Sequence, residues 1–265
     1  MRKLDKINFT STDGLKCAGY LSCPNVSMPP CIIELPAGFT SSVVEASLGQ
    51  DTFYSNLDNF LNSKGIAVFH IDRRGCMGYG PEFESKKDYG GLEVEDVLSG
   101  INQIRSSGLI DSNRTGIYGT CSSCIPALFA LSRDPLSKFG LFVSGVFDLE
   151  FQANYETQKG FELNPIFRLM GVKKLEDFPY KERSPINYKL HINAPMMFCH
   201  GINDDVSDVE QSRKITEKLK TEGNRVKYLE LESFPHKRSS SNPTTELGSS
   251  FWEETLSFMK EISFI

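Results

Sequence analysis

Short apolar runs alternate with stretches of helical periodicity along most of the chain. The runs are five to seven residues long and rich in β-branched residues, which is typical of strands that are covered on both faces. The pattern predicts strands over residues 16–22, 31–35, 65–71, 114–118, 139–144, 195–199 and 226–231.

Helical periodicity fills the intervals between these strands. Phe53, Leu57, Phe60 and Leu61 fall on one helical face, and they predict a helix from Asp51, as its cap, to residue 64. A second stripe with this spacing consists of Val94, Val97, Leu98, Ile101 and Ile104. Further helices are predicted over residues 122–133, 208–221 and 247–262. Strand–helix alternation of this kind predicts an α/β protein with a doubly wound, mostly parallel sheet.

No repeat or long flexible linker divides the chain, so residues 1–265 are predicted to form a single domain. One segment breaks the alternation: residues 147–190 contain no strand pattern but accumulate aromatic residues. An insertion of this length between strands is typical of a helical cap or lid. The alternative is an ordinary helical excursion that packs its aromatic rings into the core.

Composition and charge narrow the function classes. A formal net charge of −5 and a pI of about 5.5 lack the basic excess of a nucleic-acid-binding protein. No apolar run reaches the roughly 18 residues that a membrane span needs, and the N-terminus has no signal-peptide pattern. Seven cysteines without a framework spacing favour reduced thiols and a cytoplasmic location. Oligomeric state is not predicted.

The segment 114–128 carries the strongest chemical signal. An apolar strand pattern leads into Gly119-Thr-Cys-Ser-Ser123, and a helical pattern follows at once. This is the sequence form of a nucleophile elbow, in which a sharp strand-to-helix turn presents the central side chain, here Cys121. A helix N-terminus favours the thiolate of such a cysteine. The alternative is that Cys121 is a small buried apolar residue.

A nucleophile needs a base, and the chain contains four histidines: His70, His191, His200 and His236. His70 lies within a predicted buried strand, which favours a structural role. His236 directly follows the last predicted strand, and Asp204 lies just beyond the carboxyl end of the strand before it. Catalytic groups of α/β proteins gather at these strand ends. The chain order of Cys121, Asp204 and His236 is the order of the α/β-hydrolase triad of nucleophile, acid and base.

With these residues in place, the sequence resembles the α/β-hydrolase superfamily, and specifically its prolyl oligopeptidase-like and cinnamoyl-esterase-like members. The segments at 72–80, 111–114 and 184–187 are similar to motifs of that group. The resemblance implies an α/β-hydrolase fold and an oxyanion hole formed by two backbone N–H groups. One belongs to Ser122, and the other to Phe39 in the loop after an early strand. No cofactor or metal is implied.

Several positions depart from the family pattern. Cys121 stands where serine is usual, Ser123 and Cys124 replace two glycines, and Ala37 replaces a histidine. Glu34 places a carboxylate near the end of a presumed buried strand. Two explanations stay open: the carboxylate supports the catalytic residues from behind, or this end of the strand is simply exposed. The pair Cys121 and Cys124 also has the Cys-x-x-Cys spacing of redox sites, so reversible oxidation of the nucleophile is an open hypothesis.

A thiol nucleophile shifts the expected substrate. Because a thiolate is also a good leaving group, attack on an ester, thioester or lactone is favoured over attack on an amide. The main expectation is therefore an acyl hydrolase or acyltransferase for a small-molecule substrate, working through a covalent thioester. The alternatives are a prolyl oligopeptidase-like peptidase or amidase, and a catalytically retired hydrolase that only binds. The predicted acyl pocket is lined by Phe147, Phe151, Tyr155 and Phe161.

Overall fold

Eight strands form one sheet in the computed structural model, which describes residues 4–38, 41–43, 52–160 and 177–265. The strands are β1 (Asp5–Thr10), β2 (Lys16–Ser22), β3 (Cys31–Leu35), β4 (Ala67–Asp72), β5 (Thr115–Thr120), β6 (Gly140–Val143), β7 (Met196–Gly201) and β8 (Val226–Leu231). Their order across the sheet is β1-β2-β4-β3-β5-β6-β7-β8. From β4 to β8 all neighbours are parallel, whereas β2 is antiparallel to both β1 and β4.

Helices flank the sheet between the parallel strands. They are α1 (Phe53–Ser63), α2 (Pro81–Glu84), α3 (Glu93–Ser106), α4 (Cys124–Arg133), α5 (Leu149–Gln158), α6 (Tyr180–Arg183), α7 (Glu210–Thr221) and α8 (Glu246–Glu261). Short 3₁₀ turns lie at Cys121–Ser123, Pro185–Asn187 and Arg238–Ser241. Within the residues described above, no helix is both long and apolar enough to cross a membrane.

Two hydrophobic layers hold the sheet between its helices. Successive residues of a strand point to opposite faces, so Ile33 joins the layer under α3, α4 and α7, while Ile32 joins the layer under α1 and α8. Representative partners in the first layer are Val97, Leu128 and Ile215, and in the second Leu57 and Trp252. Both layers are buried, which explains why the central strands lack polar alternation.

The predicted fold class is confirmed: the chain has the α/β-hydrolase fold, with a mostly parallel sheet covered by helices on both faces. The strand β1 was not predicted, because it is an edge strand whose residues are largely exposed and therefore carries no apolar run. The segment 147–190 contributes α5 and α6, and it has no strand within its described residues. Its role as a lid stays a prediction, and residues 161–176 lie outside the described part.

Trp252 is a central residue of the second hydrophobic layer, and its substitution tests how much this layer contributes to stability. Its side chain is fully buried, its indole N–H donates to the carbonyl oxygen of Ser241 at 2.8 Å, and its ring packs edge-on against Tyr118. We expect Trp252→Ala to lower the free energy of unfolding by about 3–5 kcal/mol, because it leaves a large cavity and an unpaired carbonyl. Urea titration measures this loss.

The matched control removes an exposed apolar side chain. Leu136 is 56% exposed, so Leu136→Ala should change the free energy of unfolding by less than about 0.5 kcal/mol. Equal losses in the two variants would contradict the packing role given to Trp252.

Candidate active site

The strand-to-helix turn after β5 places Cys121 at the carboxyl edge of the sheet. The backbone of Cys121 has φ +57°, in the left-handed region that non-glycine residues rarely adopt. This conformation turns the chain from β5 into the 3₁₀ turn that begins α4. A Cβ atom at Gly119 would lie 2.9 Å from the Ala127 side chain, so the turn needs glycine there. The predicted elbow is thus present, with a partly exposed cysteine at its tip.

Ser123 fastens the turn with its hydroxyl group. The Oγ atom accepts from the Thr120 backbone N–H at 2.9 Å. It also lies 2.8 Å from the Thr120 carbonyl oxygen and 3.0 Å from the Leu35 carbonyl oxygen, to which its proton can be donated. The elbow is therefore tied both to itself and to β3. A glycine at this position offers no such bonds, which gives the departure from the family pattern a local purpose.

His236 and Asp204 meet at the same edge. His236 follows β8, and its Nδ1 atom lies 2.7 Å from Asp204 Oδ2. The other ring nitrogen, Nε2, is then left for the thiol of Cys121, which is within hydrogen-bonding reach of the imidazole. The three residues that the sequence predicted as nucleophile, acid and base are thus brought together in one chain of contacts.

The Asp204 carboxylate is held from behind. Its Oδ1 atom accepts the backbone N–H groups of Val206 and Ser207, both at 2.9 Å. The buried His200 ring places Nε2 at 3.3 Å from Oδ2, and its Nδ1 lies 2.7 Å from the Ser212 hydroxyl. These contacts fix the carboxylate so that its remaining lone pairs face His236.

The contacts between Asp204, His236 and their neighbours also shift the pKa values of the two side chains. Burial alone would raise the pKa of Asp204, but hydrogen bonds from His200 and His236 hold it well below its ordinary value. Burial alone would lower the pKa of His236, but its bonds to Asp204 and Cys121 raise it to about 10. At neutral pH the site therefore holds an ionised carboxylate beside a protonated imidazole.

Of the two predicted oxyanion donors, Ser122 is among the described residues. Ser122 is fully buried directly after Cys121, and its carbonyl oxygen accepts the Tyr89 hydroxyl at 3.1 Å, which orients the peptide at the start of the turn. Phe39, the second predicted donor, lies outside the described residues. The oxyanion role of both residues stays a prediction.

The loop that leads to residue 39 is clamped from the protein interior. The buried Arg73 guanidinium donates to the carbonyl oxygens of Pro36 at 3.2 Å and Gly38 at 3.1 Å. Glu93 accepts from Arg73 Nε at 3.3 Å and holds the guanidinium in place. Sequence reasoning assigned no role to Arg73, because its loop partners lie more than 30 residues away.

A cavity of about 280 Å³ opens beside the thiol. Its described lining includes Cys121, His236, Val143, Phe53, Phe234 and Glu34. The apolar walls come from β6, α1 and the segment after β8, so they lie on the side of the sheet that α1 and α8 cover. The cavity has the size of a small side chain or acyl group.

The described aromatic residues that were predicted to bind substrate are not among the residues that line this cavity. Phe147 is fully buried, with its ring 5.5 Å from that of Phe198 on the opposite face of the sheet, so the expectation for it is corrected: it is a core residue. Phe151 and Tyr155 lie on α5 under the ammonium groups of Lys214 and Lys159, and neither is among the described lining. Phe161 lies outside the described residues.

All seven cysteines are free thiols in the structure. Cys124 is fully buried, with Sγ 3.8 Å from the Val143 carbonyl oxygen. Burial raises the pKa of the Cys124 thiol well above its ordinary value, so this thiol stays protonated. Oxidation of the Cys121–Cys124 pair stays a hypothesis.

Comparison with known proteins places this geometry in context. The sequence model of the prolyl oligopeptidase family matches residues 52–262. Over 256 residues the chain is 25% identical to an uncharacterized peptidase, YuxL, of Bacillus subtilis, covering 89% of this chain and 36% of the relative. It is 24% identical to acylamino-acid-releasing enzyme 1 of Oryza sativa subsp. japonica, covering 82% of this chain and 29% of that one. The chain thus spans about a third of the length of these curated relatives.

Solved structures agree on the fold. The acylaminoacyl peptidase of Pyrococcus horikoshii superposes with a TM-score of 0.78 at 21% identity, covering 97% of this chain and 41% of that one. A puromycin-hydrolyzing peptidase of Mycobacterium tuberculosis gives a TM-score of 0.79 at 21% identity, covering 99% and 40%. At this identity the likeness establishes the α/β-hydrolase fold.

The raised pKa of His236 predicts a pH-dependent contribution to stability. Since the folded pKa of about 10 exceeds the unfolded value of 6.5, the contribution is complete below pH 6.5 and is lost as pH rises towards 10. We expect the stability difference between wild type and His236→Gln to shrink by on the order of 3 kcal/mol between pH 6 and pH 10. Urea unfolding at both pH values measures it.

The control is a histidine outside the site. His191 is exposed, so His191→Gln should keep the pH dependence of the wild type. A wild-type slope in His236→Gln would show that the imidazole gains no proton affinity on folding.

Proposed function

The chain belongs to the prolyl oligopeptidase family, and on that premise we propose that it hydrolyses an amide bond in a short acylated or peptide-like substrate, with Cys121 as nucleophile. One observation carries the proposal: the Cys121 thiol reaches an imidazole that Asp204 holds from the other side at 2.7 Å. Relatives described as peptidases and as acylamino-acid-releasing enzymes support an amide as the scissile bond.

The proposed first half-reaction forms a thioester. The Cys121 thiol first gives its proton to Nε2 of His236. The resulting thiolate attacks the carbonyl carbon, and the oxygen takes up negative charge facing the N–H of Ser122. The tetrahedral adduct then breaks its carbon–nitrogen bond, while protonated His236 gives its Nε2 proton to the departing amine. This proton removes the difficulty that a thiolate is a better leaving group than an amide anion, because the group that leaves is a neutral amine.

The second half-reaction restores the enzyme. His236, now neutral, takes a proton from a water molecule as the oxygen of that water attacks the thioester carbon. The carbon–sulfur bond then breaks, which releases the carboxylic acid product and restores the Cys121 thiolate. Asp204 accepts a hydrogen bond from Nδ1 throughout and keeps the ring in one orientation. All proton transfers therefore pass through a single nitrogen of one imidazole.

A second candidate function is hydrolysis of an ester or thioester, and the sulfur at position 121 favours it. A thiolate displaces a phenoxide or a thiolate leaving group without needing a strong general acid. The two candidates share the covalent intermediate and differ only in the leaving group.

A matched substrate panel tests both candidates. One N-acetyl-lysyl group is presented as an anilide, a phenyl ester and a thioester, and kcat/KM is measured for each. We expect wild type to turn over the anilide and to carry an acyl mass increment on Cys121 in quenched samples. Cys121→Ala should lose about 10³-fold or more of the activity, because the thioester cannot form.

The control removes a different exposed thiol. Cys23 lies at the surface, so Cys23→Ser should keep the wild-type rates. Turnover retained in Cys121→Ala would overturn the covalent mechanism. Turnover of the ester and thioester alone would replace the first candidate by the second, and no acylation with any substrate would favour a retired, binding-only protein.

A further inference from the structure

A buried carboxylate faces the cavity beside the proposed nucleophile. Glu34, at the carboxyl end of β3, is only 2% exposed, yet it lines the same cavity as Cys121. Phe53 and Phe234 line the same cavity. A cavity that contains a carboxylate and aromatic side chains suits a cation, because both the charge and the ring quadrupoles attract one.

Glu34 is fixed by a neighbour that the mechanism does not use. Its Oε2 atom lies 2.8 Å from His70 Nδ1, and the Nε2 atom of the same ring lies 2.8 Å from Asp58 Oδ1. His70 is fully buried, and Tyr54 packs edge-on against its ring with centroids 5.4 Å apart. The Glu34 carboxylate is thus held in one orientation while its Oε1 atom makes no hydrogen bond to any described residue.

The charge of this cluster is negative. Burial alone would lower the pKa of His70, but Asp58 and Glu34 raise it to about 10, so the ring is an imidazolium at neutral pH. One imidazolium between two carboxylates leaves an excess of one negative charge. Because Asp58 is not among the lining residues, Glu34 presents that excess to the cavity.

Two cationic groups share the cavity and are already accounted for. The imidazole of His236 pairs with Asp204 at 2.7 Å. Lys237 lies on the lining but its side chain is exposed, so water screens its charge. Among the described residues, the hydrogen bond and ion pair of Glu34 are to His70, and neither of these two cationic groups is its partner.

From this arrangement we propose that Glu34 determines specificity by binding a protonated amine of the substrate. The proposal rests on the proposed function for the identity of Cys121 as the reacting group, and it deepens that function by naming a cationic substrate class. An ammonium group of a substrate that enters the cavity would meet the Oε1 atom of Glu34, while the carbonyl group of that substrate lies near the thiol.

Thiol labelling tests the proposal without requiring turnover. The reagents are methanethiosulfonates with an aminoethyl, an ethyl or a sulfonatoethyl group. In each reaction the thiolate attacks the sulfenyl sulfur, a disulfide forms and methanesulfinate leaves. Cys23→Ser serves as the background because Cys23 is exposed, and peptide mass mapping assigns the label to Cys121.

The readout is the rate ratio of the aminoethyl to the ethyl reagent, divided by the same ratio for 2-mercaptoethanol. We expect Glu34→Gln to lower this ratio about tenfold, because a charge-assisted hydrogen bond to the ammonium is lost. The matched control is Asp58→Asn, which changes the charge of the same cluster equally but does not face the cavity. Its ratio should fall by a smaller factor than that of Glu34→Gln, because Asp58 is not among the residues that line the cavity.

A measurement on the unsubstituted Glu34 protein guards against misfolding of the variant. Butylammonium should protect Cys121 from the ethyl reagent at lower concentration than butanol does. Equal protection by the two ligands, an unchanged ratio in Glu34→Gln, or an equal fall in both variants would each overturn the proposal. Charge-dependent labelling with no turnover of any substrate would leave the amine site standing and remove the proposed hydrolysis.

Discussion

The left-handed backbone at Cys121 is the constraint on which the rest of the site depends. A non-glycine residue at φ +57° carries a strain of about 1–3 kcal/mol, and it persists only where the surroundings fix it. Here Ser123 bonds the turn to itself and to β3, and a further backbone bond runs from Val146 to the Cys121 carbonyl oxygen at 3.1 Å. Released from these bonds, the residue would relax towards helical geometry and the sulfur would leave the edge of the sheet. The strain is thus what aims the thiol at the imidazole.

The carboxylate behind the imidazole is fixed by different means. Asp204 follows β7 in a tight turn whose backbone N–H groups saturate one of its oxygens, and the buried His200 supports the other. A carboxylate with this many donors stays ionised even when it is shielded from water. Since the ring of His236 follows a separate strand, β8, the register between β7 and β8 sets the distance between acid and base. Sheet geometry therefore acts directly on the site.

The features predicted correctly from the sequence are those that depend on neighbouring residues along the chain. Short apolar runs made β2 to β8 recognisable, and the small Gly119 marked the elbow because close packing at the turn excludes a side chain. Three features of the structure were not predicted from the sequence, and each has a physical reason. The exposed strand β1 has no apolar signal, an aromatic count cannot tell that Phe147 faces the core, and the acceptability of a buried Glu34 depends on partners far away in sequence.

His70 and His236 have similarly raised pKa values, so proton affinity does not distinguish them. Their contacts do, and only the contacts of His236 suit a residue that transfers protons. His70 and His236 both have pKa values of about 10. Both ring nitrogens of His70 are bound to carboxylates, and no reacting group can replace either of them without exposing a buried charge. In His236 only one nitrogen is bound to a carboxylate, while the other faces a thiol at the cavity. In the proposed mechanism the same residue type thus has two roles, since His70 is a fixed electrostatic support and His236 carries the proton. Because Glu34 is bound to His70 and not to His236, its proposed binding of an ammonium group is separate from the proposed proton transfers of His236.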